Sequence, residues 1–450
     1  MSKEKKQMTP LMETLDIAWP AVLESVFVAL VGMVDTKMLS PLGQYAVSAA
    51  GITGQPKYFV LVMFFAVNIA ISALIARRKG AGLRKEANAL FSAGLHYIII
   101  AGVILSILCV IFARPIMIIC GSQADTTEPA VVYFRIIMGG MLFNTVSLYI
   151  NAAQRGSGNT KISMYTNITS NLVNIFFNYL LIQGHWGFPA LGVAGAAIAT
   201  VIGTVIACIM SILSLFRKDS YISVSYIKSE KVKPTSVAVK DLSNVGGNIL
   251  CELLLTRVGF MITGMMTARL GTNPFAAHQV GMNFMNLGFA FGDGMQIAAV
   301  ALIGRSLGEK DVNKAKMFGK TTQKIGFVMS ITTSVIMLLF GKQIFTMFFP
   351  QEEMVEMGVI IFRFIALIMP IQICKIIFNG ILRGAGDVRY TLVASAIGIT
   401  LVQPILTYLF MWPLHMGITG VWCSIFLTQF VQLLLFGARY FSGKWTQKKI

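Results

Sequence analysis

Four carboxylates lie inside long apolar runs of this sequence, where a charge is costly. Glu24 and Asp35 fall in the first run, Glu252 in the seventh and Asp293 in the eighth. A charged side chain at the centre of a bilayer costs roughly 2.5–3.5 kcal/mol on insertion scales, so such residues are functional candidates. Acids in this setting can bind a cation or take up a proton. The sequence therefore predicts cation or proton coupling at Asp35, Glu252 and Glu24. The alternative for Glu24 and Glu252 is a hydrogen-bond network between helices, and the alternative for Asp35 is a simple interfacial charge near the outer end of its span.

Amide side chains follow one face of the fifth apolar run. Asn167, Asn171, Asn174 and Asn178 are spaced by four, three and four residues, which is the spacing of one helix face. Amides avoid lipid, so this face is expected either to line a cavity or to pack against another helix. With polar residues from other runs they form the predicted substrate cavity, which comprises Asn144, Asn151, Asn171, Asn174, Asn178, Gln372, Lys375 and Asp293.

Charged and helix-breaking residues within the runs add to this picture. Lys57 and Lys375 are cations expected either to pair with a carboxylate or to give a cavity affinity for anionic groups. Two glycines flank Asp293, which suggests close helix approach or a local distortion. Pro20 removes a backbone donor four residues before Glu24. It predicts a helix kink, which serves either as a moving part or as a static bend.

The composition indicates what kind of protein holds these residues. The chain has 450 residues, of which 56% are hydrophobic and 12% charged, with a mean hydropathy of +0.72, whereas soluble domains carry about 25% charged residues. About 20 helical residues cross a ~30 Å hydrocarbon core, and backbone groups in lipid must pair within the segment. We therefore predict an all-α polytopic membrane protein with twelve transmembrane helices. Their expected spans are 14–39, 46–76, 89–112, 131–153, 162–183, 190–216, 242–268, 275–304, 319–346, 357–381, 390–412 and 417–440.

The net charge of +18 is distributed unevenly along the chain. Most of the 37 Lys and Arg residues lie in the two tails and in the connections after even-numbered spans, whereas the intervening connections hold only Arg114, Arg269 and Lys342. This positive-inside pattern predicts that both termini are cytoplasmic, and it explains the basic charge without nucleic acid. The first run begins too deep, and is too polar, for a cleavable signal peptide. Scattered cysteines and histidines predict neither a disulfide framework nor a zinc site.

The chain repeats itself at an offset of 228 residues. The segment "QRGSGNTK" after the fourth run aligns with "LRGAGDVR" after the tenth, so that Arg155 falls on Arg383, and the same shift places Glu24 on Glu252. We expect both segments to be cytoplasmic turns. A shift of six spans leaves both copies facing the same way, which is a parallel repeat. The predicted organisation is an N-terminal six-helix bundle at 1–216, a cytoplasmic linker at 217–241 and a C-terminal six-helix bundle at 242–450, with a central cavity.

Parallel helix bundles of this kind are typical of secondary transporters, whose substrate sites lie near the middle of the bilayer. A channel or an inert scaffold built by duplication is the alternative, but ionisable residues inside the spans favour transport. The sequence contains no HExxH, nucleophile-elbow or Walker sequence, so an enzyme is not expected.

Four short segments carry a resemblance to a known family. They are "MVDTKMLSPLG" at the end of the first span, "RRKGAG" after the second, "QRGSGNTK" after the fourth and "LRGAGDVR" after the tenth. The order of these segments, and the repeat, make the chain resemble bacterial members of the multidrug and toxic compound extrusion (MATE) family. The resemblance covers essentially the whole length of the chain. The resemblance implies a secondary active antiporter that exports cationic or amphipathic drugs and toxic metabolites by alternating access, driven by a sodium or proton gradient. Asp35 matches the first-helix aspartate used for coupling, and Glu252 matches the seventh-helix glutamate of the NorM-like branch.

Two departures from the family pattern leave the coupling ion and the branch open. The NorM-like branch has a further acid in the tenth helix, where this chain has Gln372. The DinF-like branch pairs the first-helix aspartate with a fifth-helix aspartate, where this chain has Asn178. The expected cofactor is therefore none beyond a coupling sodium ion or proton, and the only metal site expected is one for sodium.

The resemblance also sets expectations for partners and location. It implies a monomer in the cytoplasmic membrane, in contact with lipid, with a small organic cation as substrate and no nucleic acid. A flippase for a lipid-linked sugar, from the same superfamily, is the alternative, because such proteins carry a cation-rich cavity that would suit Lys57, Lys375 and Arg257.

Overall fold

The computed structural model describes residues 9–122, 126–217, 220–346 and 352–448, and these residues form helices and turns without a strand. Ten helices in these ranges are long and apolar enough to cross a membrane, and a further span is a pair of helices bent by 47°. Thr160–Gln183 has 24 residues, but its asparagines make it less apolar than the others. Together these elements correspond one to one with the twelve predicted spans.

The spans are named α1 to α12 in chain order. Their bounds are Pro10–Leu39 (α1), Gln44–Ile52 with Gly54–Gly80 (α2), Arg84–Ile111 (α3), Thr127–Gly139 with Met141–Gly156 (α4), Thr160–Gln183 (α5), Gly192–Ser214 (α6), Ser236–Ala268 (α7), Thr272–Gly308 (α8), Val312–Thr346 (α9), Glu352–Gly384 (α10), Val388–Ser395 with a π-helix at Ala396–Val402 and Gln403–Met411 (α11), and Gly417–Phe441 (α12).

The chain forms two compact units. The N-terminal unit comprises Val26–Gly246, and the C-terminal unit comprises Gly247 onward together with the chain up to Ser25. The start of α1 joins the C-terminal unit because Ile17 and Ala18 pack into a core that includes Ala298 and Leu302 of α8. Within that unit α10 packs against α8, α9 and α12, and within the N-terminal unit α6 packs against α4 and α5. The bundles at 1–216 and 242–450 and the linker between them stay predictions.

The internal duplication is visible in the backbone. Gly158 and Gly386 follow the ends of α4 and α10 with φ angles of +83° and +82°. This left-handed conformation favours glycine and closes a helix C-terminus. At each end the next residue donates its backbone N–H to a carbonyl five residues earlier, Asn159 to Gln154 at 2.9 Å and Asp387 to Leu382 at 2.9 Å. The two "RG" segments are thus the same turn built twice.

The first glycine of each turn allows two helix backbones to touch. A Cβ on Gly156 would lie 2.4 Å from the Ser72 carbonyl oxygen of α2, and one on Gly384 would lie 2.8 Å from the Val300 carbonyl oxygen of α8. Ser72 and Val300 are themselves related by the 228-residue offset. Helices in lipid gain little from apolar burial against each other, so close backbone packing over small residues is a main source of their stability.

Gly156→Ala and Gly384→Ala are therefore each expected to destabilise the protein, by about 1–3 kcal/mol, because backbone atoms must move to admit a methyl group. Gly156→Ala is expected to have the larger effect, since its closest contact is shorter. Melting of the purified protein in detergent measures this. Gly247→Ala is the control, because no atom lies within 4 Å of a Cβ there. Melting temperatures that fall equally for Gly156→Ala and Gly247→Ala would contradict the assignment of close packing.

Candidate functional site

Asp35 and Asn178 meet in the N-terminal unit, although 143 positions separate them. Asp35 lies in the last third of α1 and is half-buried, and Asn178 lies on α5 with 2% of its surface exposed. Asn178 Nδ2 donates to Asp35 Oδ1 at 2.8 Å. The coupling candidate on α1 and the asparagine stripe on α5 therefore form one site, which we call the Asp35 site.

The Asp35 site continues from α5 to α6 through neutral polar groups. Asn178 Nδ2 lies 3.4 Å from Asn174 Oδ1, and Asn174 Nδ2 donates to Thr200 Oγ1 at 3.1 Å. Thr200 Oγ1 in turn donates to the Ala196 carbonyl at 2.9 Å. Thr200 was not predicted, because a single threonine in an apolar helix gives no signal of its partner.

An acceptor atom in the Asp35 site lacks a donor. Asn178 Oδ1 is buried and has no hydrogen-bond partner among the described residues. A buried acceptor without a partner is rare and calls for an explanation. A carboxylate and a neighbouring amide oxygen suit a hard cation such as sodium, or a proton carried on the carboxyl group. This donor set fits the expected coupling ion.

Two further side chains of the N-terminal unit interact with Asp35 electrostatically, and both are half-buried. Lys57 of α2 acts on Asp35, and the Asp35 charge acts on Tyr133 of α4. The nearby ammonium group of Lys57 offsets part of the Asp35 charge. This interaction favours the pairing of Lys57 with a carboxylate, one of its two predicted roles, and both roles stay predictions.

The C-terminal unit holds a second polar site around Glu252, which we call the Glu252 site. Glu252 lies on α7 with 2% of its surface exposed. Its Oε1 accepts hydrogen bonds from Asn379 Nδ2 at 3.0 Å and Ser395 Oγ at 2.8 Å, and its Oε2 accepts from Thr391 Oγ1 at 2.9 Å. Arg383 Nη2 lies 3.1 Å from Oε1 and completes an ion pair. The carboxylate is thus fully engaged by groups on α10 and α11.

Arg383, in the "LRG" turn predicted to be cytoplasmic, has a role that the sequence-based interpretation did not include. Arg383 is only 6% exposed and pairs with Glu252. The close contact of Gly384 with α8 explains this, because it buries the last turn of α10. The recurrence of the arginine in both halves was the available signal: Arg155, its counterpart, donates from Nη1 to Ser163 Oγ at 2.8 Å.

The π-helix of α11 begins directly after Ser395, which donates a hydrogen bond to the Glu252 carboxylate. Pro404 follows it and has no N–H to donate to the Thr400 carbonyl, which is the bond an α-helix would require. Thr400 Oγ1 donates to the Leu255 carbonyl of α7 at 2.9 Å. π-Helical turns inside α-helices occur frequently at functional sites.

Lys375, Gln372 and Asp293 occupy different positions in the C-terminal unit. Lys375 is buried on α10, and its Nζ donates to Gln432 Oε1 of α12. It interacts electrostatically with both Glu252 and Asp293. Asp293 is exposed on α8 and also interacts with Arg383, so two acids and two cations balance each other here.

The other predicted cavity residues are placed as follows. Gln372 is fully buried, with Nε2 3.5 Å from the Met285 carbonyl of α8. Asn151 is fully buried and accepts from Ser211 Oγ of α6 at 3.2 Å, which is a helix contact. Asn144 is half-buried on α4, and Asn171 donates to the Asn167 carbonyl of its own helix at 2.8 Å. Their role in a substrate cavity stays a prediction.

The predictions on α1 concern Glu24 and Pro20. Glu24 is buried, and α1 runs as one helix through Pro20. Coupling at Glu24 and a kink at Pro20 stay predictions.

Comparison with known proteins gives one family and one fold. A family model described as MatE matches the chain twice, over residues 20–180 and 249–409, one match in each half. The chain is 26% identical over 442 residues to the probable multidrug resistance protein NorM of Thermotoga maritima, which covers 97% of this chain and 94% of that protein.

Two solved structures have the same fold. One is an outward-facing multidrug resistance MATE family transporter of the MOP superfamily, with a TM-score of 0.90, 20% identity and 97% of each chain covered. The other is a MOP superfamily transporter from Pyrococcus furiosus whose binding pocket has reverse polarity, with a TM-score of 0.90, 20% identity and 98% of each chain covered. At this identity the likeness concerns the fold.

Proposed function

This chain belongs to the MatE family of multidrug and toxic compound extrusion transporters, and from this premise we propose that it is an antiporter. It exports small cationic or amphipathic molecules, including drugs and toxic metabolites, by alternating access, and sodium ions or protons flowing inward drive the export. The Asp35 site carries this proposal, because it combines a carboxylate, two amides and a hydroxyl group inside the membrane span of a transporter. The relative from Thermotoga maritima, a probable multidrug resistance protein, supports the substrate class.

We assign the coupling ion to the Asp35 site rather than to the Glu252 site. The Glu252 carboxylate already contacts the Arg383 guanidinium, and Lys375 lies close by. A sodium ion entering there would be repelled by two cations. At Asp35 a direct contact is the neutral amide of Asn178, and the Lys57 ammonium group acts on the carboxylate electrostatically. The Asp35 site is thus the better place for an exchangeable cation.

The protein is expected in the cell membrane as a monomer that crosses it many times, with both termini in the cytoplasm and lipid around it. The uneven distribution of Lys and Arg supports this orientation. A cysteine introduced near either terminus should react with a membrane-impermeant maleimide in inverted vesicles and not in right-side-out vesicles. The reverse labelling would overturn the orientation.

Reconstituted protein tests the antiport proposal. We expect proteoliposomes with either an imposed sodium gradient or an imposed proton gradient, tested separately, to accumulate a cationic dye such as ethidium. The direction of dye movement should be opposite to that of the driving ion. If neither gradient drives dye movement, the antiport proposal fails.

A second candidate, a flippase for a lipid-linked sugar, has one observation in its favour. The buried cations Lys375 and Arg383 lie close to the exposed Asp293. The reverse polarity of the pocket in the Pyrococcus furiosus transporter is a precedent within the fold. Gradient-independent movement of a fluorescent lipid-linked sugar pyrophosphate, with no dye transport, would favour this function over antiport.

A further inference from the structure

A cavity of about 560 Å³ opens on the N-terminal unit, on the face that carries most of the Lys and Arg residues. It lies between the end of α2, the start of α3 and the segment that leads into α7. Apolar side chains form part of its wall, among them Leu90, Val232 and Val237. Of these, Val237 is 64% exposed. The cavity is therefore open and has an apolar side.

The charges around this cavity do not balance. Arg78 Nη2 pairs with Asp241 Oδ2 at 2.6 Å, and Arg78 Nε lies 3.8 Å from Glu86 Oε2, so one arginine serves both acids of the lining. Three lysines of the lining remain, and none has an ion-pair partner among the described residues. They are Lys85, Lys231 and Lys233.

The segment that carries two of these lysines is held in place, so the cavity is preformed. Arg84 at the start of α3 donates from Nη2 to the Ser220 carbonyl at 2.9 Å and from Nε to the Tyr221 carbonyl at 3.1 Å. Asn88 Oδ1 accepts from the backbone N–H of Ser223 at 3.1 Å. The Arg84 guanidinium also lies 4.3 Å from the centre of the Tyr226 ring. The predicted linker is thus bound to the N-terminal unit by specific contacts.

From these features we propose that the cavity binds the headgroup of an anionic phospholipid from the leaflet on this face. The three lysines would contact the phosphate, and the apolar wall would contact the glycerol and the first acyl carbons. Basic pockets between transmembrane helices on the cytoplasmic side are a known form of lipid recognition. α3 and α7 both begin at this cavity, so it lies at the level of the lipid headgroups. A soluble anion would gain nothing from the exposed Val237 of the apolar wall.

Native mass spectrometry of the full-length protein in detergent tests this proposal. We expect phosphatidylglycerol to bind more tightly than phosphatidylcholine. In the double variant Lys231→Gln/Lys233→Gln its affinity should fall roughly 10- to 30-fold, because each lysine near an anionic lipid surface contributes about a fivefold factor. Lys231→Arg/Lys233→Arg should retain binding, because it keeps both charges.

The matched control removes two lysines of the same segment that do not line the cavity. Lys228→Gln/Lys240→Gln changes the net charge equally, and both residues are exposed. We expect this control to bind phosphatidylglycerol as the unchanged protein does. Equal losses in the two double variants would overturn the proposal, since they would indicate unspecific attraction. Displacement of the lipid by millimolar inorganic phosphate would also overturn it, because the cavity would then be a site for soluble phosphate.

Discussion

Asp35→Asn is expected to reduce gradient-driven transport to the level of liposomes without protein. The substitution keeps the shape of the side chain, and an asparagine oxygen still accepts the hydrogen bond that Asn178 Nδ2 donates to Asp35 Oδ1 at 2.8 Å. It removes the negative charge that would bind sodium or carry the proton. A transporter without its coupling group cannot link the ion gradient to substrate movement. The half-buried position of Asp35 and the retained hydrogen bond predict a change in stability of no more than about 1 kcal/mol.

Dye uptake into proteoliposomes, driven separately by a sodium and a proton gradient, measures this effect. The matched control is Asp16→Asn, which removes an exposed acid from the same helix. We expect Asp16→Asn to transport at the normal rate under both gradients. Transport by Asp35→Asn at the rate of Asp16→Asn would show that coupling does not depend on the Asp35 site. Loss under one gradient alone would identify the coupling ion.

The positions of the helices can be predicted from sequence because the bilayer sets the length of every span. It also requires the backbone groups of each span to form hydrogen bonds within that span, as a helix does. Even Thr160–Gln183, whose asparagines lower its hydropathy, is long and apolar enough in sequence to be predicted as a span. The 4-3-4 spacing of its amides located Asn174 and Asn178, and the cost of a buried charge located Asp35 and Glu252. Period, length and charge are local properties that a sequence displays directly.

Partners across helices are different, because they depend on how each helix is rotated and on how closely it packs. The sequence predicted a turn at Arg383 but not its partner: the close contact of Gly384 with α8 buries the end of α10, where Arg383 pairs with Glu252. Thr200 and Gln432 gave no signal because a lone hydroxyl or amide in a helix has many possible partners.

Glu252→Gln is expected to destabilise the protein by about 2–4 kcal/mol and to weaken substrate binding. Removing one partner of a buried ion pair costs roughly 3–5 kcal/mol, because the other charge remains buried without compensation. Here that charge is Arg383, which is 6% exposed. A glutamine oxygen can still accept a hydrogen bond from Ser395 or Asn379, so the expected loss of stability lies toward the lower end of this range. Asp293→Asn should lower the free energy of unfolding by less than about 1 kcal/mol, because Asp293 is exposed. Its effect on substrate binding should be smaller than that of Glu252→Gln.

Thermal melting in detergent and dye-binding titrations compare these variants. The double variant Glu252→Gln/Arg383→Gln then tests whether the two residues act as a pair. If the ion pair is the main source of the effect, the double variant loses less stability than the two single variants added together, by at least about 1 kcal/mol. Additive losses would mean that Glu252 and Arg383 act independently. Equal effects of Glu252→Gln and Asp293→Asn on dye binding would contradict the ranking of the two acids. Glu24→Gln completes the comparison, because Glu24 is the counterpart of Glu252 in the first half: a much smaller effect there would show that the duplicated acids have diverged in function.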